Sequence, residues 1–388
     1  MQLTREEERI YDGERGWANQ TCMKILVRLG ELFGAEKLIP IDSAHVSGVS
    51  YKTLGDAPIE FLRTLADSDG RVKVRTTLNP QSLDSQYLRK KVEESLQEPQ
   101  LDILRQFERM GLTQSLTCTP YYLHRLARGS HHAWAESSAV VYANSVLGAW
   151  TNREGGPSAL AAAIIGKTPD YGIHRAGNRR PNVTVKVEAK LTDPTKLGAL
   201  GIFLGKTLGD KIPTITGLPN TSRDDLKQLC AAIATTGMTN MFHTGSKTTT
   251  EGAERICVDS DQIERTIEEL SGGTGKPDLV FLGCPHCSLD EMRRIAELIE
   301  GKRVRASVEF WVCTSCHVRR AAAAYVKRIE EAGGHVLDGV CTVVSWTEKL
   351  GIRTIMTNSA KTAYYAPTLN KAEAVLAPME DCLESTLR

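Results

Sequence analysis

The sequence predicts an α/β protein with parallel or mixed sheets covered on both faces, and three patterns carry that prediction. Strand-like and helix-like periods alternate along the chain, most regularly in the second half. Helix starts are marked by side-chain caps. Polar clusters recur where the predicted strands end, the edge at which open α/β folds collect their ligands. Taken in order, Thr4 with Glu7 forms the signature of a capping box on a first helix. Cys22, Ile25, Leu26, Leu29, Leu32 and Phe33 follow the i, i+3, i+4, i+7 rule of an amphipathic helix. Residues 72–78 and 183–187 alternate as half-buried strands, and Ile103, Leu104, Phe107 and Met110 mark another helix. A further helix is expected from Ala135 to Leu147.

In the second half Ser222 is expected to cap a helix carrying Leu226, Leu229, Cys230 and Ile233, and Ser260 one carrying Ile263, Ile267 and Leu270. Residues 277–283 read as a buried strand, and Ser288 with Glu291 opens the next helix. Strands are expected at 304–312, 336–345 and 353–358, with a helix through Ala321 to Ile329 that stops at Gly333-Gly334. Candidate hinges are 171–181 and the glycine-rich 271–276.

The 48 Lys and Arg against 47 Asp and Glu leave a net charge of +1, which argues against a polybasic nucleic-acid binder. The 41% hydrophobic and 24% charged residues match a globular chain rather than a disordered one. No apolar run approaches the roughly 18 residues of a membrane span, and the acidic N-terminus lacks the features of a signal peptide. A cytoplasmic protein is expected, whose 10 cysteines are thiols or metal ligands rather than disulfides.

Cys284 with Cys287 and Cys313 with Cys316 form two C-x-x-C pairs, which admit a four-thiolate zinc site although their separation exceeds that of a zinc ribbon. Each pair is expected where a strand hands over to a helix. A thioredoxin-like redox pair at Cys284–Cys287 is the weaker reading, because no such βαβ context surrounds it. Cys118 follows a short strand-like run and Cys341 lies at a predicted strand, both where active sites of such folds collect. Cys22, Cys230 and Cys382 fall on helical faces and read as small buried hydrophobes, while Cys257 is a strand cysteine without accompanying signal.

Four polar clusters suit a small anionic substrate. One spans Ser43 to Tyr51 and includes Ser47, Gly48, Val49 and Ser50; another is Thr76 to Pro80 with Asn79. A third runs from Trp134 through Glu136, Ser137 and Ser138, and on through Asn152, Arg153 and Glu154 to Ser158. There Gly155-Gly156 would let backbone approach a ligand, with Arg153 as its bidentate partner. The fourth holds Asn358, Ser359 and Lys361. Arg153, Lys361 and His45 are candidate partners for substrate anions.

These segments together resemble the large subunit of aconitase X, a branch of the aconitase superfamily, from Leu3 to Ser359. The most specific marks are Ser47 to Tyr51, Thr117 to Tyr121, Trp134 to Ser138, Asn152 to Leu160 and Leu282 to His286. The chain departs from the family pattern at Cys313 and Cys316, at Ala360 where relatives tend to have glycine, and at Val340 where threonine is common. The resemblance implies three α/β/α domains around a central iron–sulfur site, expected here at 1–190, 191–272 and 273–388, without the small swivelling domain. It implies that Cys118, Cys284 and Cys341 hold the cluster, expected as 4Fe–4S with one open-site iron.

That iron would act as a Lewis acid on a departing hydroxyl. The remaining polar positions, Ser47, Gly48, Val49, Ser50, Asn79, Ser137, Ser138, Asn152, Arg153, Glu154, Asn358 and Ser359, are expected to bind substrate, with Lys361 and Glu136 catalytic. The general base is implied to be a serine of a small domain. With no such domain after Met379 to Arg388, a separate small subunit is expected. The implied activity is dehydration of 5-phosphomevalonate, with cis-3-hydroxy-L-proline as the alternative substrate and a zinc-stabilised, non-enzymatic α/β scaffold as the rival of a different class.

Overall fold

The protein is described from a computed structural model covering residues 1–84, 86–245, 252–273 and 276–388. The expected hinge at 271–276 lies in part outside the described residues. The chain forms two compact units, one of Met1–Pro80 and Glu93–Arg180, the other of Gln81–Val92 and Pro181–Arg388. The division at Arg180–Pro181 falls inside the polar stretch 171–181.

In the first unit β1 (Leu38–Pro40) pairs antiparallel with β5 (Lys167–Pro169). The main sheet is parallel, with β2 (Ser43–Val46) between β3 (Arg75–Leu78) and β4 (His132–Trp134). Single parallel bridges extend it, Leu116 to Leu78 on one side and Arg153 to Trp134 on the other. Helices Trp17–Leu32, Ala57–Asp67, Glu94–Arg109 and Gly156–Ile165 bury their apolar stripes in one core with Val46, Leu78 and Ala133. Fully desolvated residues such as Leu26, Ile103, Phe107 and Leu160 are each worth about 1.5–3 kcal/mol of transfer free energy.

The second unit holds two further parallel sheets. One comprises β6 (Val183–Val187), β7 (Pro213–Thr216), β8 (His243–Thr244) and β9 (Glu254–Val258) in the order 8-7-6-9. The other comprises β10 (Leu279–Cys287), β11 (Glu309–Thr314), β12 (His335–Asp338), β13 (Thr354–Thr357) and β14 (Glu373–Leu376) in the order 12-11-10-13-14. Helix Arg223–Thr236 packs on β10. Among the described residues, no helix is long and apolar enough to cross a membrane.

The caps fall largely where the sequence puts them. Thr4 with Glu7, Ser222 with Asp225 and Ser288 with Glu291 all close as capping boxes. The helix assigned to Ser260 instead starts one residue earlier, where Asp259 accepts from Gln262 N and Gln262 reaches back. An ionised side chain is the stronger acceptor at that position. The strand expected at 304–312 is displaced to Glu309–Thr314, and that at 336–345 shortens to His335–Asp338.

Candidate functional site at the sheet edges

Every polar cluster singled out in the sequence lies at the carboxyl edge of a parallel sheet. In the first unit the edge is built around β2. Ser47–Ser50 follow β2, Asn79 follows β3 and Glu136–Ser138 follow β4. Cys118 comes just after the Leu116 bridge, and Arg153 forms the bridge on the other side. The chain leaves β2 for β3 on one flank and reaches β4 on the other, so β2 is the switch point at which such sheets open a crevice.

A directed chain of hydrogen bonds orders this edge. The Glu136 carboxylate can only accept, so the Asn79 Nδ2 at 3.0 Å donates to it. Asn79 Oδ1 then accepts from His45 Nε2 at 3.3 Å, which leaves His45 Nδ1 to accept from Thr77 Oγ1 at 2.7 Å. The other Glu136 oxygen takes Ser138 N at 3.3 Å and Ser138 Oγ at 2.8 Å. Burial drives the His45 pKa down to about 4, against the pull of Glu136 and the Asn79 hydrogen bond, so the ring is neutral at pH 7. His45 is therefore not the anion-binding cation the sequence suggested: its ring is fully enclosed and engaged at both nitrogens.

The Asn152–Ser158 segment also works differently from expectation. Asn152 Nδ2 donates to Tyr171 O at 3.0 Å and its Oδ1 accepts from Ile173 N at 3.0 Å, so this amide holds the 171–173 turn. Glu154 is buried and accepts from Ser158 Oγ at 2.6 Å and Thr168 Oγ1 at 3.2 Å. Its carboxyl is pushed up by desolvation, which those bonds only partly oppose. Gly156 is required for a close approach, but the approaching atom is Ser47 O: a β-carbon would stand 2.6 Å from it. The glycine thus seats the start of helix Gly156–Ile165 against the Ser47–Ser50 loop. Gln100 is a site-supporting residue that sequence reasoning missed. Fully buried on helix Glu94–Arg109, it donates to Val49 O at 2.8 Å and accepts from Tyr51 N at 3.0 Å. A polar residue on an apolar stripe was its only signal.

In the second unit the corresponding edge belongs to the five-stranded sheet. Chain order reverses between β10 and β13, and Cys284 and Asn358 both lie beyond the last β10–β13 pair, Phe281 with Thr357. Strand β10 leaves its register with β11 after Leu282 and rejoins it at Cys287, so Gly283–His286 face Cys313 alone. Gly283 makes this bulge possible with φ of +108°, and a β-carbon there would lie 2.2 Å from Cys313 O. Cys284 stands on the bulge.

Cys341 lies on no strand, contrary to expectation. Its N–H donates to Gln81 O at 3.1 Å, and Gln81 N donates to Gly339 O at 2.9 Å. The Val340 pairing is thus with Gln81 as an isolated parallel bridge rather than with a sheet strand. Thr342–Val344 then turns as a short 3-10 helix pinned by Asn370 Nδ2, which donates to Thr342 O at 2.9 Å. Ser359 caps helix Ala360–Tyr365, and Lys361, half-buried, is its second residue. The methyl of Ala360 is accommodated by Gly198, where a β-carbon would come within 3.0 Å.

Among the described residues, the thiols of the two C-x-x-C pairs are not gathered as a zinc knuckle. Cys287 packs in an apolar cluster with Val280, Leu282, Met292 and Ile295, and desolvation pushes its thiol far up. Cys313 is buried within β11, and Cys316 opens helix Cys316–Ala321. Among the described residues, no group of three or more His, Cys, Asp or Glu side chains is gathered to hold a metal ion. The edge of the five-stranded sheet offers two thiols, the ligand type of an iron–sulfur group, in Cys284 and Cys341. Asn358 Oδ1, Thr342 Oγ1 and Thr362 Oγ1 are buried without a hydrogen-bond partner. The third thiol, Cys118, belongs to the first unit.

Comparison with known proteins decides the family. Profiles of the aconitase X first, second and third domains match residues 1–177, 181–268 and 277–388. The chain belongs to the aconitase X family. It is 44% identical to the phosphomevalonate dehydratase large subunit of Methanocaldococcus jannaschii over 99% of this chain and 100% of that one. It is 46% identical to that of Methanothermobacter thermautotrophicus over 96% of each. The crystal structure of Thermococcus kodakaraensis aconitase X in its holo-form superposes with a TM-score of 0.93 at 40% identity, covering both chains completely. A cis-3-hydroxy-L-proline dehydratase of Pseudomonas aeruginosa is 34% identical over 98% of this chain but only 69% of its own length. This aconitase X chain is accordingly a hydro-lyase, and the non-enzymatic zinc scaffold falls away.

Proposed function

We propose that this chain is the large subunit of a dehydratase that converts (R)-5-phosphomevalonate to trans-anhydromevalonate 5-phosphate in a modified mevalonate route. The observation that carries the reading is the end-to-end match to archaeal chains named phosphomevalonate dehydratase large subunit, against the partial coverage of the hydroxyproline enzyme. The name of those relatives also supports a separate small subunit, proposed to bring the serine that acts as general base.

Cys118, Cys284 and Cys341 are proposed to hold a 4Fe–4S cluster, which when bound supplies an open iron position that polarises the departing hydroxyl. Glu136 and Lys361 are proposed as catalytic groups, the carboxylate fixed by three donors and the ammonium placed at a helix start. The Ser47–Ser50 loop, Asn79, Ser137, Ser138, Arg153, Asn358 and Ser359 are proposed to contact substrate. Asn152 and Glu154 are proposed to serve it indirectly, because their side chains are spent on the 168–173 segment.

Anaerobically reconstituted protein, combined with its small subunit, is expected to consume 5-phosphomevalonate and to leave cis-3-hydroxy-L-proline unchanged. Cys118→Ala or Cys341→Ala is expected to lower turnover by at least a thousandfold. Full activity in either variant would remove that thiol from the ligand set, and turnover of hydroxyproline would reassign the substrate.

A further inference from the structure

Beneath the Cys284 bulge lies a buried charged cluster that the proposed chemistry does not use. Lys227, on helix Arg223–Thr236, is fully enclosed, with no exposed surface. Its ammonium donates to His286 O at 3.0 Å and forms an ion pair with Glu291. Glu291 also accepts from Ser288 N at 2.8 Å, and Ser288 Oγ donates to Asp224. His286, itself 1% exposed, reaches the other way: its Nε2 lies 2.8 Å from Val340 O, and because a carbonyl only accepts, Nε2 carries the proton. One residue thus connects the bulge bearing Cys284 to the peptide that precedes Cys341, and a buried lysine fixes that residue's backbone from below.

The desolvation of a buried ammonium–carboxylate pair is costly, and such a pair often contributes less to stability than an apolar replacement of the same volume. Its placement under a bulge that bears a proposed ligand therefore suits positioning better than stability. We propose that Lys227 and His286 are positioning residues that hold Cys284 and Cys341 in fixed relation, so that the two thiols receive the iron–sulfur group pre-arranged. The inference rests on the proposed cluster ligands. Outer-shell partners of metal ligands typically change metal affinity by about 10–100-fold when removed.

The test compares His286→Gln, whose Nε2 can reach Val340 O, with His286→Asn, which is polar but one carbon too short. Lys227→Met/Glu291→Gln removes the charge pair without leaving a buried carboxylate alone. Iron and acid-labile sulfide per full-length chain are measured after anaerobic reconstitution, with the rate of iron loss to a chelator and the melting temperature of each cluster-free protein. His286→Asn and the double variant are expected to lose iron at least tenfold faster than the native chain at an unchanged melting temperature, and His286→Gln within about twofold of it. Equal iron retention in all four proteins overturns the proposal. So does a loss of melting temperature that tracks the loss of iron, which would make the cluster ordinary structural support. A native chain that takes up no iron and sulfide instead sinks the cluster reading itself, a distinguishable result.

Discussion

At the scale of single residues, the polarity of the first-unit edge is set by Glu136, because a carboxylate can only accept. That fixes which way Asn79 faces, and Asn79 in turn fixes the tautomer of His45. Asn79→Asp should therefore do more than remove a donor: it places two carboxylates about where a hydrogen bond of 3.0 Å now stands. A loss of about 1–3 kcal/mol in urea-unfolding stability at pH 7 is expected, with turnover reduced by at least a hundredfold. Unchanged stability would show that the chain of bonds is not the one described. The cluster residues at this edge were legible because serine, asparagine and glycine at strand ends are a local pattern. His45 was misread because its neighbours, Thr77 and Asn79, are brought to it by strand pairing, which composition does not display.

At the scale of elements, two glycines carry the architecture of the site. Gly283→Ala places a methyl against Cys313 O in a left-handed backbone region, so the bulge cannot persist. A stability loss of about 3 kcal/mol or more is expected, together with loss of bound iron, read by urea titration and by iron analysis. Gly156→Ala drives the Ser47 carbonyl away from the helix start and should lower the melting temperature and, at least tenfold, kcat/KM. A variant with native kinetics would show that the Ser47–Ser50 loop does not meet substrate.

The starts marked by Thr4, Ser222, Ser288 and Asp259 were readable to within a residue, since capping is decided by three or four neighbouring side chains. The helix expected from Ala135 instead begins at Ser137, and the one expected through 321–329 is two helices, Cys316–Ala321 and Ala323–Glu331. The bulge in β10 and the release of Cys341 from any strand were not readable. The first depends on an interruption of pairing with β11, the second on a distant partner, Gln81. The run from Val336 to Val344 looks like one strand because it is rich in β-branched residues, but its pairing with β11 ends at Asp338.

At the scale of the whole molecule, buried histidines set the acid limit. His45 and His132 are lowered to about 4 and His174 to about 3, chiefly by desolvation, from an ordinary value of 6.5. The unfolded chain therefore binds more protons than the native one between these values, so stability must fall as pH drops from 6.5 toward 4. Glu154 and Glu291, whose carboxyls are raised from the ordinary value by burial, act in the opposite sense. Urea midpoints should decline steadily over that window. His132→Gln, which can still donate to Ser130, should flatten the decline; an identical slope would exclude His132 as a contributor.

The α/β class with its parallel sheets was visible in the sequence, and the family resemblance covered nearly the whole chain because its motifs sit at sheet edges along its full length. The support beneath those edges, Gln100, Lys227 and His286, left little trace, since a lone polar residue on an apolar stripe has no periodicity.

Loss of water from 5-phosphomevalonate can be followed directly. Anaerobically reconstituted chain and its small subunit are incubated with 5-phosphomevalonate, and the product is analysed by mass spectrometry. A product lighter by one water is expected, formed only when both subunits and the iron–sulfur group are present. Dehydration that persists after complete removal of iron and sulfide, or no dehydration by a fully loaded two-subunit enzyme, would contradict the proposed function.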